Sequence, residues 1–320
     1  MKLFMKRELK EIKNRLEEYL KRIYREIKGL TSEMVDYLDK SSGKRYRSML
    51  LYISGKFLGA DEEPLIKLGA SIELIHLGSL LHDDIIDEAT VRRGLTSAHK
   101  LFGVEEAIIL GDLLNTKAIL IVASFGDLRI IESVATEVEA MIAGEMEEEL
   151  NSFRYDIKEE EYYKIIEGKT ARLISLSCYL PAIYLRSQDY VEPLKEMGLN
   201  LGMAFQILDD IVDVIMDREK LGKPVLSDLK EGKMTLPYIY YRDSGGRYSS
   251  DIKEFFENKK QPDFYAIKDD LIKSRSIERA FRKMEEYIKK ARKVLLSLPE
   301  SNKWKEILYE STNIRGIYGV

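Results

Sequence analysis

Residues 80–94, LLHDDIIDEATVRRG, decide the fold and most of the chemistry that this sequence reveals. Three carboxylates, Asp83, Asp84 and Asp87, end an apolar segment with helical patterning. At about 100° per residue, Asp83 and Asp87 lie one turn apart on one helical face. Two stacked carboxylates repel each other, so the pattern predicts a divalent cation between them. Oxygen-only ligands favour Mg²⁺ held together with substrate phosphates.

Two arginines, Arg92 and Arg93, follow these carboxylates directly. Guanidinium groups form forked hydrogen bonds to phosphate oxygens. The stretch as a whole therefore predicts a site for a diphosphate and magnesium.

The same pattern occurs a second time in residues 205–214, FQILDDIVDV. Asp209, Asp210 and Asp213 have the spacing of the first motif and again lie in an apolar helical run. An acidic cluster is usually a solvated helix face, but both triads are embedded among Leu, Ile and Val. We therefore interpret the second motif as a further metal site.

The composition limits the possible partners and compartment. With 51 Lys and Arg residues against 55 Asp and Glu, the net charge of −4 argues against nucleic acid or an anionic membrane as the main partner. The single cysteine, Cys178, fits a reducing compartment, so we expect a cytoplasmic protein. The longest apolar candidate, residues 65–81, is interrupted by Lys67 and Glu73, so no transmembrane segment is expected.

Helical periodicity runs along most of the chain, and alternating strand patterns are nearly absent. The predicted helices span about residues 8–28, 31–39, 65–88, 104–125, 130–150 and 194–216, and a further helix begins before the apolar run 49–58. Residues 159–185 contain EGKTARL, residues 234–241 form another apolar segment, and shorter amphipathic helices are predicted over 251–300. Residues 227–233, SDLKEGK, are predicted as a loop, and residues 244–246, SGG, as an exposed hinge or boundary. The fold class that follows is all-α, one large helical bundle.

Several further signals lie outside the acidic motifs. Residues 43–48, GKRYRS, pack three cations into four positions at a helix entrance, where the backbone also favours anions. Residues 168–170, GKT, resemble the tail of a P-loop, but Tyr163 stands where that motif needs Gly. His76 shares the helical stripe of the first motif. The acidic run at residues 145–149 is interpreted as surface charge.

Together these pieces make residues 43–237 resemble the trans-type isoprenyl diphosphate synthases, also called polyprenyl synthetases. The matching segments are GKRYR at 43–47, ELIHLGSLLHDDIIDEATVRRG at 73–94, GKT at 168–170, FQILDDIVD at 205–213 and GKPVLSDLKEGKMTLP at 222–237. One departure is Ser48, where the family usually has a proline that should only shape the helix entrance. The resemblance implies an isoprenoid-synthase bundle around a central cavity, in a single domain over residues 1–320.

The resemblance also implies a reaction, in which isopentenyl diphosphate condenses with an allylic diphosphate by magnesium-assisted ionisation, electrophilic addition and proton loss. Three Mg²⁺ ions are expected, for which Mn²⁺ can substitute. The implied metal residues are Asp83 and Asp87 for two ions, Asp209 with support from Asp213 for the third, and Asp84 and Asp210 to tune these sites.

The remaining implied roles divide between the two substrates. Residues implied to grip the allylic diphosphate are Arg92, Lys169, Lys233 and, nearby, Lys223. Residues implied to hold isopentenyl diphosphate are Lys44, Arg47, His76 and Arg93, with Arg45 as a weaker candidate. Thr170 and Gln206 would present oxygen dipoles to the carbocation.

The predicted length of the product depends on two residues before the first acidic motif. Gly78 and Ser79 are small and lie about one turn before Asp83, which favours an open tunnel and a product longer than C15, with C25 to C40 preferred. The alternative is a short-chain farnesyl or geranylgeranyl diphosphate synthase.

Alternatives from other classes fit the sequence less well. A metal-dependent phosphohydrolase would leave the second acidic motif unused, as would a terpene cyclase, which has no second diphosphate substrate. A non-catalytic regulatory subunit of a synthase should lack motif residues that are all present here. A homodimer is expected, because the helices are more apolar than one bundle's core requires and related synthases are dimeric.

Overall fold

The computed structural model describes residues 2–216, 226–299 and 301–318. Within these ranges the chain is helical apart from turns, loops and one short antiparallel hairpin. In that hairpin β1 (Val91–Arg92) pairs with β2 (Leu95–Thr96), so that Arg92 lies opposite Leu95. The all-α prediction is confirmed.

The long predicted helices are all present, and the described residues contain further short helices that were not predicted. Those up to residue 150 are α1 (Lys2–Glu26), α2 (Ser32–Lys40), α3 (Tyr46–Phe57), α4 (Glu62–Ile86), α5 (Ala98–Phe102), α6 (Val104–Ala123) and α7 (Leu128–Leu150). Those that follow are α8 (Glu159–Ile166), a π-helical turn (Glu167–Ala171), α9 (Arg172–Tyr184), α10 (Gln188–Ile215), α11 (Ser227–Lys230), α12 (Leu236–Asp243), α13 (Ser249–Asn258), α14 (Phe264–Lys273), α15 (Arg275–Ser297), α16 (Lys303–Ser311) and α17 (Arg315–Tyr318).

The chain divides into two compact units. The first comprises the residues up to Thr136, Leu176–Lys195 and Leu298–Ser311; the second comprises Glu137–Ser175, Glu196–Ser297 and the residues from Thr312 onward. The predicted hinge at residues 244–246 is wrong as a boundary, because it lies inside the second unit. There Gly246 approaches the ring of Tyr241 so closely that a side chain would not fit.

Helix α4 is the central helix of the first unit. Leu65, Leu68, Ile72 and Leu74 are at most 1% exposed, and a helix that is apolar on all sides is expected to be buried. Among the described helices α4 alone is long and apolar enough to cross a membrane. However, 72% of its most apolar window is buried, as is usual for the core helix of a soluble protein.

Gly78 lets α4 approach α6 closely. A Cβ atom at this position would lie 3.0 Å from the carbonyl oxygen of Gly111 and 2.8 Å from Oδ1 of Asn115. Farther along the same contact, Nε2 of His82 lies 3.1 Å from the carbonyl oxygen of Ile108. The small residue at position 78 is therefore explained by helix packing, and its interpretation as a sign of an open tunnel is corrected.

In the second unit, the π-helical turn lies against α7. A Cβ atom on Gly168 would come within 2.8 Å of the Cα of Gly144 and 2.9 Å of the carbonyl oxygen of Ala140, so only glycine fits. Turns of this type are rare and frequently occur at functional sites. The close approach brings Lys169 beside the acidic end of α7.

Two local predictions are wrong. The residues after 251 were expected to form only shorter helices, but α15 is a single helix of 23 residues. Its buried positions recur every three or four residues, as in one continuous amphipathic helix. They are Ile277, Ala280, Met284, Ile288, Ala291 and Leu295. The predicted loop at residues 227–233 begins with the short helix α11.

Candidate active site

The first acidic motif lies at the C-terminal end of α4, where Asp87 is the capping residue. The middle carboxylate, Asp84, is 2% exposed and accepts hydrogen bonds from Arg92 Nε at 2.6 Å and Nη2 at 2.5 Å. Burial alone would lower the pKa of Arg92, but the charge and hydrogen bonding of Asp84 outweigh it and raise that pKa. Asp83 and Asp87 are partly exposed. The motif thus contains one internal carboxylate and two that reach the surface of the unit.

The cations predicted to bind isopentenyl diphosphate lie around the entrance of α3. Nη1 of Arg47 is 3.2 Å from Nε2 of His76. Arg93 donates from Nη1 to the carbonyl oxygen of Ser41 at 2.9 Å, and Lys44 is exposed. The first unit therefore brings Arg47 and His76 together and holds Arg93 on the turn before α3.

His76 is a neutral hydrogen-bonding group at this site. Loss of contact with water, followed by the positive charges of Arg47, Arg93, Arg45 and Arg92, lowers its pKa well below the ordinary value. The uncharged ring can accept a hydrogen bond at Nε2, the nitrogen that faces Arg47.

The structure corrects the weaker candidate, Arg45. Its side chain is buried and donates to both oxygens of Glu17 at 2.9 Å and to Glu73 at 3.1 Å. Burial alone would lower the pKa of Arg45, but these carboxylates more than offset that effect and raise it. A guanidinium engaged in this way has no surface to offer a diphosphate, so Arg45 is a structural residue.

The second acidic motif, on α10, also buries its middle carboxylate. Asp210 is 3% exposed and accepts hydrogen bonds from the hydroxyl of Tyr162 at 2.5 Å and the amide of Gln206 at 2.8 Å. Burial raises the pKa of Asp210 to about 7. Asp209 is partly exposed. The two motifs therefore share one arrangement, in which the first carboxylate reaches the surface of its unit and the second is held internally.

Asp213 holds the start of α11. Its carboxylate accepts hydrogen bonds from the Ser227 backbone at 3.2 Å, the Ser227 hydroxyl and the Asp228 backbone at 3.3 Å. A carboxylate at a helix N-terminus satisfies otherwise unpaired N–H groups. Lys223 lies outside the described residues, between Asp213 and this helix in the sequence.

Thr170 and Gln206, predicted to face the carbocation, are brought together. The hydroxyl of Thr170 donates to Oε1 of Gln206 at 2.6 Å, while the Gln206 amide donates to Asp210. The hydrogen-bond chain fixes the orientation of the Gln206 amide. It therefore positions two neutral oxygen dipoles next to the second acidic motif.

Lys169 and Lys233 both contact Glu148, a carboxylate that the sequence does not identify as part of the site. Lys169 contacts Glu145 at 3.1 Å and Glu148 at 2.5 Å, and Lys233 contacts the same Glu148 at 3.4 Å. Burial raises the pKa of Glu145, although Lys169 opposes this shift. The interpretation of residues 145–149 as surface charge is therefore wrong for Glu145 and Glu148. The spacing of three residues, which puts both on one helical face directly after Gly144, could have revealed them.

A cavity of about 30 Å³ connects several of these groups. Its lining includes Glu148, Lys233, Gln206 and Asp210. The volume corresponds to about one water molecule, which these polar side chains could bind, and the lining also includes Ile157, Ile165, Ile166 and Met234. The second unit thus gathers Lys233, two carboxylates and an oriented amide around one small space.

Comparisons with known proteins identify the family of this chain. The family model described as polyprenyl synthetase matches residues 28–269, which include all the motifs above. The octaprenyl diphosphate synthase of Escherichia coli is 35% identical over 217 residues, covering 68% of this chain and 67% of that protein. The geranylgeranyl diphosphate synthase of Saccharolobus solfataricus is 34% identical over 284 residues, or 84% of each chain.

The fold agrees as well. A crystal structure of the heptaprenyl diphosphate synthase from Staphylococcus aureus superimposes with a TM-score of 0.89, at 28% identity and over 98% of each chain. Because the family model covers most of the sequence and the relatives align over at least two thirds of it, the reaction class follows. The chain belongs to the polyprenyl synthetase family and is a prenyltransferase that acts on isopentenyl diphosphate and an allylic diphosphate.

Proposed function

We propose that this prenyltransferase uses three Mg²⁺ ions, two held by Asp83 and Asp87 and a third by Asp209 with Asp213. The observation that carries the proposal is the arrangement repeated in both motifs. In each, the middle carboxylate (Asp84 or Asp210) is buried and hydrogen-bonded, whereas the first is partly exposed. The buried carboxylate fixes the helix end, and the partly exposed one can bind a cation.

The donor sets suit magnesium. Both consist of carboxylate oxygens without thiolate or imidazole, and Mg²⁺ prefers such ligands together with substrate phosphates. When bound, the ions would supply positive charge that stabilises the diphosphate leaving group. Mn²⁺ should substitute, because it accepts the same oxygen ligands.

The side chains of this protein bind and orient both substrates. Arg92, Lys169 and Lys233 would contact the allylic diphosphate, with Lys223 near them. Glu148 now contacts both Lys169 and Lys233, so an arriving diphosphate would replace this carboxylate as their counter-charge. The oxygens of Thr170 and Gln206 would stabilise the allylic cation after ionisation.

The second substrate needs its own set of cations. Lys44, Arg47 and Arg93 would hold the diphosphate of isopentenyl diphosphate, and neutral His76 would orient Arg47. Alignment of two diphosphates in one reactive geometry lowers the entropic barrier to condensation. The double bond then attacks the allylic carbon, and the released diphosphate accepts the final proton.

We propose a product of C25 to C40, with a C15 or C20 product as the alternative. Similarity to an octaprenyl and a heptaprenyl synthase supports the longer range, and similarity to a geranylgeranyl synthase supports the alternative. Within the chain, Ser79 is the informative position. It is partly exposed, and its hydroxyl donates to the His76 carbonyl at 3.0 Å, whereas Gly78 contacts α6.

Ser79→Phe is expected to shorten the main product toward C15 to C20, because a bulky ring one turn before Asp83 would block a growing prenyl chain. The measurement is chromatography of products made from labelled isopentenyl diphosphate with several allylic starters. Ser79→Ala is the matched control and should leave the product length unchanged. A C15 product from the unmodified enzyme would contradict the open-tunnel interpretation, as would an unchanged product from an active Ser79→Phe variant.

We also propose that the protein is a single-domain homodimer in the cytoplasm. Large apolar side chains are exposed on α6, where Ile109 is 57% and Leu120 is 60% exposed and the two lie three turns apart. A stripe on α7, Ile142, Met146 and Leu150, is at least 59% exposed at intervals of four residues. Large exposed apolar patches mark interaction surfaces. The buried, unpaired Cys178 is compatible with a reducing compartment.

Light scattering at micromolar concentration should give about twice the chain mass of 37.1 kDa. Met146→Glu should lower that mass toward the monomer, because it places a charge in the proposed interface. Ile272→Glu is the control, since Ile272 is also exposed but lies on α14. A wild-type mass near 37.1 kDa would contradict the dimer.

A further inference from the structure

The entrance of α3 has a strained backbone held by buried charges. Arg45 precedes the helix with φ of 57°, a left-handed conformation that costs free energy for a residue with a side chain. Its guanidinium bonds both oxygens of Glu17, on α1, and one oxygen of Glu73, on α4. Two other helices therefore determine the direction in which α3 begins.

Glu73 also contacts the first turn of α3, through Ser48. Its Oε1 accepts hydrogen bonds from the Ser48 hydroxyl at 2.8 Å and the Ser48 backbone N–H at 3.3 Å, while Oε2 accepts from Arg45. Glu73 is 5% and Ser48 2% exposed, so water competes little for these bonds. Arg45 and Ser48 flank Arg47 in the sequence, and one carboxylate therefore fixes the backbone on both sides of Arg47.

Glu73 lies close along α4 to His76, the residue that Arg47 contacts. Glu73 and His76 are three residues apart on α4 and so occupy neighbouring positions on one helical face. Arg47 reaches His76 at 3.2 Å. Helices α3 and α4 therefore meet through two neighbouring sets of contacts. One is the Arg47–His76 pair, and the other is formed by Glu73 with Arg45 and Ser48.

We propose that Glu73 is a positioning residue for isopentenyl diphosphate, acting through Arg45 and Ser48 to hold Lys44 and Arg47 in their binding geometry. This inference rests on the proposed binding role of Lys44 and Arg47. Glu73 itself does not contact the substrate. Its effect is to keep the cations at the α3 entrance aligned before the substrate arrives, which lowers the cost of binding.

Ser48 supplies both of the hydrogen bonds that Oε1 of Glu73 accepts. Proline is also tolerated in the first turn of a helix. Proline has neither an N–H nor a hydroxyl, so it could make neither of the bonds that Ser48 makes to Glu73.

The test uses steady-state kinetics of the full chain with Mg²⁺, varying each diphosphate in turn. Glu73→Gln should raise the KM for isopentenyl diphosphate about 10-fold and change kcat and the allylic KM less than about twofold, because a small displacement of aligned groups has large effects on binding. Ser48→Ala should raise the same KM by a smaller factor. Ser54→Ala is the matched control, since Ser54 is buried in the same helix and its hydroxyl has no partner among the described residues.

A second arm separates this inference from the site assignment. Arg47→Ala should raise the KM for isopentenyl diphosphate at least as much as Glu73→Gln. If Arg47→Ala raises it but Glu73→Gln and Ser48→Ala do not, the positioning role is refuted and the binding site stands. If none of the three changes it, both are wrong. If Glu73→Gln raised the KM for isopentenyl diphosphate and the KM for the allylic diphosphate equally, and Ser54→Ala did the same, the effect would be a general loss of packing. That result would overturn the inference. If Glu73→Gln does not fold, Ser48→Ala alone decides.

Discussion

Asp83→Ala or Asp209→Ala is expected to lower turnover by at least about 10²-fold, the usual scale for losing one preorganised contact to the transition state. Each substitution removes the partly exposed carboxylate of its motif, and with it an oxygen ligand for the proposed Mg²⁺. The folded structure should survive, because the buried carboxylates Asp84 and Asp210 stay in place. The measurement is product formation at saturating Mg²⁺, with melting curves to confirm folding.

Asp269→Ala is the matched control for both variants. Asp269 is also the first of two adjacent aspartates on a helix, but it is exposed and the last motif position is Lys273. Asp84→Ala would be less informative, because it would leave the Arg92 guanidinium without its buried partner and destabilise the fold. Near-normal turnover of Asp83→Ala or Asp209→Ala would show that the two motifs are not a paired metal site.

Lys169→Ala is expected to lower kcat/KM for the allylic diphosphate by about 10²-fold, because it removes a cation that would stabilise the leaving diphosphate. Arg47→Ala and Lys44→Ala should instead mainly raise the KM for isopentenyl diphosphate. Steady-state kinetics with each substrate varied in turn separates the two effects. Lys164→Ala is the control, since Lys164 is exposed on α8, five residues before Lys169.

The contrast between the substrates is the informative result. Because Lys169 is paired with Glu145 and Glu148, its removal also leaves those carboxylates less well compensated, so melting curves must accompany the kinetics. If all three variants affected both substrates to the same extent, the division into two diphosphate sites would be contradicted.

The sequence was sufficient for the long helices and the acidic motifs, because these depend on local patterns. Helix α4 is apolar over most of its length, and Asp83 and Asp87 lie where this apolar run stops. Their spacing of four residues places them on one helical face. The spacing of its apolar residues also indicates that α15 is continuous, although charged residues dominate its composition.

The roles of the buried charged residues do not follow from local sequence patterns. Three cations lie together at residues 44–47, and only the fold shows that Arg45 is the internal one, since its partners Glu17 and Glu73 are each 28 residues away. For Glu145 and Glu148 the local sequence predicts surface charge, because their partner Lys169 is more than 20 residues distant. Burial of a charge depends on such distant partners, and a local pattern does not contain them.

Gly78 illustrates the same limit for a small residue. A glycine before the first acidic motif can leave space for a substrate or let two helices meet, and the sequence is identical in both cases. The close approach of Gly111 and Asn115 decides for packing. Ser79 therefore carries the test of product length.

The most direct test of the account is the incorporation of labelled isopentenyl diphosphate by the unmodified chain, with an allylic starter, in the presence and absence of Mg²⁺. The account predicts a prenyl diphosphate longer than C15 with Mg²⁺, and no incorporation when a chelator removes divalent cations. Undiminished incorporation without divalent cations would contradict the metal assignment. Release of diphosphate from the allylic substrate without any chain growth would contradict the condensation itself.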